Sequence, residues 1–162
     1  MSTYDSYKHL LGRPYVSGRH DCYGLAVDYY RDIYGIQLIN AARPEGWWDC
    51  PQISLIDDFM EADGWEQVGK NTRALQPGDG LIFSLLTGKA NHVGVYVGNG
   101  TFIHHIWQRY SCEDALMEKW KSRLLTVVRH PEVALMNREM TPTTDLMTLL
   151  PERIRAKYVQ PS

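Results

Sequence analysis

The clearest helical pattern lies in the first third of the chain. Between Cys22 and Tyr34 apolar residues recur at three- and four-residue spacing, which predicts a helix over this range. Asp21 is a typical N-cap for this helix, and Gly35 is a typical end. We expect two further helices, at residues 4–11, where Gly12-Arg13-Pro14 ends the helix, and at Ile53–Asp63.

From residue 65 onwards, short apolar runs alternate with turn residues, a pattern typical of β-strands. Gly98-Asn99-Gly100 separates two of these runs and predicts a β-hairpin. Helices followed by several strands predict an α+β domain, in which N-terminal helices pack on an antiparallel β-sheet. The predicted strands are residues 65–68, 81–83, 92–97, 101–104 and 124–129.

After Pro131 the composition shifts to Met, Thr, Leu and Pro. We therefore predict a folded domain at residues 1–133 and a C-terminal tail at residues 134–162. The tail carries an apolar stripe on short helical segments, and this stripe either packs back on the domain or docks on a partner. The stripe consists of Leu146, Leu149, Leu150 and Ile154.

Length and charge exclude several classes of protein. The 162 residues correspond to about one domain. A formal net charge of -2 gives no general basic field for nucleic acid or an anionic membrane. We expect no membrane span and no secretion signal, since no apolar run is long enough and Met1-Ser2-Thr3-Tyr4-Asp5 lacks a basic start. Three scattered cysteines are too few for a disulfide scaffold.

Cys22 is the first candidate for chemistry. The N-terminus of a helix favours negative charge, so we expect a lowered thiol pKa there, although a buried structural cysteine is the alternative. His92 begins a strand after the flexible segment at residues 87–91, which places an imidazole at the edge of the sheet. Cysteine catalysis needs such an imidazole near the sulfur and a third polar group that orients the ring.

Hairpin register decides which histidine can orient His92. With a two-residue turn at Asn99-Gly100, His105 shares the face of His92. With a three-residue loop at Gly98-Asn99-Gly100, His104 opposes Gly94 and shares that face instead. Local physics leaves both registers open.

Several motifs in order resemble the NlpC/P60 family of cell-wall cysteine peptidases, from about residue 7 to residue 129. The resemblance implies a papain-like core in which a cysteine at a helix start faces a histidine and a third polar residue on neighbouring strands. The motifs are Gly12-Arg13-Pro14-Tyr15, Gly18, Asp21-Cys22-Tyr23-Gly24-Leu25, Leu75-Gln76-Pro77-Gly78-Asp79, His92-Val93-Gly94-Val95-Tyr96-Val97-Gly98-Asn99-Gly100 and Phe102-Ile103-His104.

The resemblance also implies the roles of individual residues. Cys22 corresponds to the nucleophile, His92 to the base and His104 to the orienter, with His105 as the reserve orienter. The resemblance, and not the spacing, therefore selects the three-residue loop. It implies no cofactor and no metal. The residues that it assigns to the substrate and oxyanion site are Tyr15, Asp21 and Tyr23.

Tyr23 stands where many members of the family have serine, and the branch found in phage tails often has an aromatic residue there and lacks a signal peptide. The resemblance therefore implies a tail-tip peptidoglycan hydrolase that is made in the host cytoplasm, carried in the virion and active in the bacterial cell wall. Its expected partners are peptidoglycan and, through the tail, other tail-tip proteins. The bond usually cut in the family joins D-glutamate to the diamino acid of the stem peptide.

Competing interpretations are a tail-assembly module with an idle site, a CHAP-type amidase and a zinc site made by Cys22, His92, His104 and His105. Cys50 and Cys112 flank loops and have no histidine nearby, since the hairpin histidines are expected to be distant, so we expect both cysteines to be inert. Trp47 and Trp48 lie in a loop and either fold onto the core or form a wall of the cleft. The remaining histidines, expected at surface or capping positions, are His9, His20 and His130.

Overall fold

The computed structural model describes residues 6–50, 52–140 and 151. Within these residues the α-helices are α1 (Cys22–Tyr29), α2 (Leu55–Ala62), α3 (Glu118–Lys121) and α4 (Pro131–Met140). The strands are β1 (Glu66–Gly69), β2 (Gly80–Phe83), β3 (His92–Gly98), β4 (Thr101–His104), β5 (Cys112–Ala115) and β6 (Leu124–Arg129). Short 3-10 turns lie at Lys8–Leu10, Trp47–Asp49 and Thr72–Ala74.

The six strands form one antiparallel sheet in the order β1-β6-β2-β3-β4-β5. The predicted α+β class, with an antiparallel sheet, is therefore confirmed. All five predicted strands are present. Strand β5, whose residues are only partly apolar, was not predicted from the sequence.

Helix α1 begins where Asp21 predicts it. The Asp21 carboxylate accepts a hydrogen bond from the backbone N–H of Gly24 at 2.8 Å, which satisfies one free donor of the first turn. After Tyr29 the helix widens into a π-helical turn, Tyr30–Tyr34, and Gly35 ends it at a φ of 68°. The predicted range is thus helical throughout, with a change of helix type in its last turn.

The β3–β4 hairpin has the register in which His104 lies opposite Gly94. Asn99 and Gly100 form a tight turn with positive φ, and Gly98 pairs with Thr101. One extra residue, Val97, bulges between the paired positions and shifts the register. The predicted three-residue loop is wrong in form, but the face that it assigned to His104 is correct.

The two faces of the sheet bury different cores. Side chains such as Val93 and Val95 pack on one face with α1 and its tyrosines. The other face is covered by Trp120 of α3. The cluster on this second face consists of Leu81, Phe83, Phe102, Leu116, Trp120, Leu124 and Val127. The rings of His92 and His104 pack against this second cluster, through Phe83, Phe102 and Trp120.

Helix α4 spans the predicted domain boundary at residue 133. Val133 is fully buried, and the Asn137 side-chain amide donates to the Pro77 carbonyl at 2.8 Å, so the start of this helix packs on the domain. Most of the predicted tail, including its apolar stripe, lies outside the described residues. None of the helices that the structure describes is long and apolar enough to cross a membrane.

Candidate active site

A cavity of about 320 Å³ opens beside the N-terminus of α1. Cys22 from the helix and His92 from the start of β3 both line it. The backbone N–H of Val93 lies against the Cys22 sulfur, which places the thiol at the beginning of the same strand. The fold therefore brings together the two residues that sequence reasoning paired.

Asp21 anchors this end of the helix through a buried ion pair. Its carboxylate accepts from Arg43 Nε at 2.9 Å and from Arg43 Nη2 at 3.0 Å. It also accepts from the backbone N–H groups of Gly18 and Gly24. Four donors thus occupy the two oxygens, so Asp21 holds the backbone around Cys22 although it also lines the cavity. Arg43 gave no sequence signal, because it is a single basic residue in a loop.

Gly24 is required by the close approach of the preceding loop. A Cβ at this position would lie 1.9 Å from the Arg19 carbonyl oxygen, a distance that no side chain tolerates. The glycine of the Asp-Cys-Tyr-Gly motif therefore lets the loop that carries Tyr15 fold onto α1. This loop borders the cavity.

The Cys22 thiol is not acidic in this setting. Burial and the neighbouring Asp21 carboxylate raise its pKa to about 12, and the N–H groups of Val93 and Tyr23 with Arg43 only partly oppose them. The lowered pKa expected from the helix N-terminus is therefore wrong, because desolvation and the Asp21 carboxylate outweigh the N–H groups and the Arg43 charge that favour the thiolate. At neutral pH the sulfur rests as a thiol.

His92 is buried and hydrogen-bonded to His104. The distance from His92 Nε2 to His104 Nδ1 is 3.0 Å. Burial, with the nearby His104 and His105, lowers the pKa of His92 well below the ordinary histidine value. The same cause lowers the pKa of His104 to about 4, although Asp114 opposes it. Both imidazoles are neutral at pH 7, and His92 Nδ1 is the ring nitrogen left for the cavity side.

Behind His104 lie two groups of β5 that the sequence reasoning missed. Asp114 Oδ2 is 3.3 Å from His104 Nε2 and accepts the indole N–H of Trp120 at 3.2 Å. Cys112 Sγ lies 3.5 Å from the same His104 nitrogen. The expectation that Cys112 lies away from histidine is therefore wrong, because register pairs it directly with His104. Cys50 contacts Gln52 instead, and all three cysteines are free thiols.

The reserve orienter His105 turns to the other side of β4. Its Nε2 donates to the Arg109 carbonyl at 3.0 Å, while Tyr15 packs edge-on against its ring. His105 Nδ1 is buried without a hydrogen-bond partner, the one such side-chain nitrogen or oxygen among the described residues. His105 lines the cavity but does not contact His92 through a hydrogen bond.

The two predicted tyrosines have different environments. Tyr15 lines the cavity, and burial with the nearby Asp21 and Cys22 raises its pKa to about 12, so its hydroxyl stays a donor. The Tyr23 hydroxyl instead donates to the Ile39 carbonyl at 3.0 Å, and its ring packs on Phe59 of α2. Tyr23 borders the cavity while its polar end points to neighbouring backbone.

Aromatic residues form the rim of the cavity. Trp47 is buried in the core, so both interpretations of this loop apply, and Trp47 and Trp48 also line the cavity. Trp48 lies 6.2 Å from Trp107, which is 50% exposed and comes from the segment after β4. The rim therefore joins the loop before α2 to the sheet side of the site.

One group of side chains in the described part of the chain has metal-ligand geometry. Single ligand atoms of His104, Cys112 and Asp114 all lie within 4.8 Å of one another. This group shares only His104 with the zinc site that the sequence analysis considered as a competing interpretation. Among the other histidines, His9 pairs with Asp32 near the surface, and His130 accepts the backbone N–H of Glu132 at the start of α4, as expected for a capping residue.

Two curated proteins that are similar in sequence to this chain carry the same name. Tail tip assembly protein K of Escherichia phage lambda is 36% identical over 122 residues, which cover 75% of this chain and 59% of that protein. Tail tip assembly protein K of Escherichia phage N15 is 31% identical over 126 residues, covering 76% of this chain and 50% of that protein. The chain thus spans between half and three fifths of the length of these curated relatives.

A solved structure supports the same fold. The NlpC/p60 domain of the peptidoglycan hydrolase SagA superposes with a TM-score of 0.52 at 19% identity, covering 78% of this chain and 95% of that one. The sequence model of the NlpC/P60 family matches residues 12–129, which include the cavity, α1 and the whole sheet. The papain-like architecture expected from sequence is thereby confirmed, and the chain belongs to the NlpC/P60 family.

Proposed function

We propose that this protein is a cysteine peptidase that cleaves the stem peptides of bacterial peptidoglycan. The observation that carries the proposal is the shared cavity of Cys22 and His92, with His92 hydrogen-bonded to His104 at 3.0 Å. A thiol, an imidazole and a third group that orients the imidazole are the parts that nucleophilic catalysis by cysteine requires. Family membership supports the same chemistry.

The reaction begins from a neutral pair. His92 Nδ1 takes the proton of the Cys22 thiol as the sulfur attacks the carbonyl carbon of the scissile amide. The Cys22 backbone N–H and the Tyr15 hydroxyl donate to the oxygen that becomes negative. His92 then passes the proton to the leaving amine as the C–N bond breaks, which leaves a thioester. In the second step His92 takes a proton from water as the water oxygen attacks the thioester carbonyl, and when the C–S bond breaks His92 returns that proton to the sulfur.

The relatives support the proposed substrate and location. The SagA structure is that of a peptidoglycan hydrolase, and both curated relatives are tail tip assembly proteins of phages. We therefore assign the protein to a phage tail tip, where it aids penetration of the cell wall. The proposed target bond joins D-glutamate to the diamino acid, and the proposed docking segment for other tail proteins is residues 134–162.

Digestion of purified peptidoglycan tests the proposal. Wild type and Cys22→Ala are incubated with the polymer, and the released fragments are identified by mass spectrometry. New stem-peptide termini that disappear with Cys22→Ala support the peptidase and identify the bond. Equal release by the two proteins contradicts it. Cys50→Ala serves as the matched control, because this thiol contacts Gln52 and not a histidine.

A second candidate is a structural role in tail assembly. Both curated relatives are named tail tip assembly proteins, and the chain covers only part of their length. Complementation of a phage that lacks the gene separates the two roles. If the role is structural alone, Cys22→Ala restores infective particles. If the peptidase is required, Cys22→Ala restores particles that assemble but fail to penetrate the cell wall.

A further inference from the structure

The carboxylate of Asp114 lies at the end of a chain of hydrogen bonds that leads to the cavity. His92 Nε2 contacts His104 Nδ1, and His104 Nε2 contacts Asp114 Oδ2. We propose that Asp114 is a positioning residue that sets the tautomers of both histidines. It thereby leaves the proton of His92 on Nε2, so that Nδ1, the nitrogen on the cavity side, is free to take a proton from Cys22. This inference deepens the proposed function and rests on it for its catalytic meaning.

The tautomers of both rings follow from which atoms can donate a hydrogen bond. An ionised carboxylate only accepts hydrogen bonds, so the His104 nitrogen that faces Asp114 must carry the proton. Neutral His104 then has a bare Nδ1, which accepts from His92 Nε2. His92 in turn carries its proton on Nε2 and is bare at Nδ1, the form that can take a proton from Cys22.

Packing holds Asp114 in place for this task. The indole N–H of Trp120, which only donates, binds the same Oδ2 atom. The Trp120 ring also lies edge-on against His104, with centroids 4.8 Å apart. Asp114 and Cys112 lie on one face of β5, two residues apart, while Glu113 points to the opposite face and accepts from Thr101.

The alternative orienter is Cys112. Its sulfur is 3.5 Å from His104 Nε2, and a thiol can donate to that nitrogen as well as accept from it. A donating thiol would force the opposite tautomers and leave a proton on His92 Nδ1. A full carboxylate charge is the stronger acceptor, so Asp114 decides the direction of the chain.

Four variants separate the orienting hydrogen bond of Asp114 from its charge and from neighbouring contacts. Asp114→Ala removes the acceptor. Asp114→Asn keeps an oxygen that can accept from both His104 and Trp120, while the charge is lost. Glu113→Ala is the matched control, since it removes a carboxylate from the same strand on the opposite face. Cys112→Ala tests the alternative, and a chelator in every assay keeps metal ions off His104.

Two readouts are compared. Nitrogen-15 spectra of the histidine side chains should show one tautomer, protonated at Nε2, in wild type, Asp114→Asn, Cys112→Ala and Glu113→Ala, and mixed tautomers in Asp114→Ala. On stem-peptide substrate, Asp114→Ala should lower kcat by about 10- to 100-fold with little change in KM, the usual size for a group that orients a reacting side chain. Asp114→Asn should recover most of kcat.

The inference is overturned if Asp114→Ala keeps the wild-type tautomers, or if Cys112→Ala changes them. The spectra do not depend on activity. If the wild type cleaves no stem peptide while the tautomers respond to Asp114 as expected, then the proposed function fails and the positioning role of Asp114 stands.

Discussion

The two sides of the candidate site are held by different kinds of interaction. On the helix side, a buried ion pair between Asp21 and Arg43 fixes the backbone around Cys22. On the sheet side, aromatic packing and hydrogen bonds between neutral rings fix His92 and His104. Asp114, which is partly exposed, supplies the carboxylate at the outer end of that arrangement.

This difference explains why the reacting groups themselves are neutral. Burial and, after it, the Asp21 carboxylate raise the pKa of Cys22, and Arg43, the ion-pair partner of Asp21, only partly offsets that effect. Burial among aromatic rings lowers the pKa of His92. Charge is thus used on the helix side to hold the backbone, whereas the sheet side holds side chains without placing a full charge next to the sulfur. The two sides should fail in different ways.

The largest effect is expected when the buried ion pair between Asp21 and Arg43 on the helix side is broken. Asp21→Asn keeps a side-chain oxygen for the cap but leaves the buried Arg43 without its counter-charge, so the free energy of unfolding should fall by about 3–5 kcal/mol. Denaturant unfolding measures the change. Asp28→Asn is the matched control on the same helix, where the ion pairs are more exposed and the expected loss is about 1 kcal/mol. Equal losses of unfolding free energy in the two variants would contradict the expected difference between the buried ion pair and the more exposed ones.

Acid should weaken the sheet side. The folded-state pKa of His104 is about 4, below the ordinary value of 6.5, so the unfolded chain binds its proton at a higher pH than the folded one. Stability therefore falls as the pH drops from 6.5 towards 4, and His104 alone contributes about 3 kcal/mol to that fall. His92 and His105 act in the same direction.

Urea unfolding at pH 7 and pH 4 checks this expectation. His104→Gln is the control, because it removes a group that binds its proton at a higher pH in the unfolded chain than in the folded one, and its loss of stability between the two pH values should be smaller. A wild-type protein as stable at pH 4 as at pH 7 would show that the buried histidines are not held neutral.

Alkylation of Cys22 tests whether the Cys22 thiol and the His92 imidazole, where the two sides meet, are both neutral. With a thiol pKa of about 12, the thiolate fraction grows with pH, so the rate with iodoacetamide should rise about tenfold for each pH unit between pH 6 and 9. Peptide mapping separates Cys22 from the other two cysteines. A fast rate that is constant over this range would instead indicate a thiolate paired with a protonated His92.

The smallest effect is expected at the rim that joins the two sides. Trp107 is half-exposed, so Trp107→Ala should change the free energy of unfolding by about 0.5 kcal/mol or less. If the rim binds the stem peptide, KM should rise a few-fold while kcat is retained. Steady-state kinetics on a soluble stem peptide measure both, and an unchanged KM removes the rim from the binding site.

Sequence predicted the parts of the molecule that local patterns determine. The N-cap at Asp21, the helix that follows it and the five predicted strands depend on spacing and turn residues alone. The register of the hairpin depended on a bulge at Val97, which no local pattern indicates. Family resemblance assigned His104 to the face of His92, and the structure agrees.

The residues that sequence reasoning missed act through long-range contacts. Arg43 reaches Asp21 across 22 positions, and Asp114 meets His104 only because β5 pairs with β4. The one available signal for Asp114 was its alternation with Cys112 in a weakly apolar strand. The lowered pKa predicted for Cys22 was wrong because a helix N-terminus is visible in sequence, whereas the burial of the sulfur is not.

The protonation of His92 and His104 in the wild type at pH 7 is the most direct test of the account. Nitrogen-15 spectra of the histidine side chains resolve each ring nitrogen. We predict that both rings are neutral, with the proton on Nε2 and no proton on Nδ1. A His92 ring protonated on both nitrogens, or bare at Nε2, would contradict it, because such a ring could not take the proton of a Cys22 thiol.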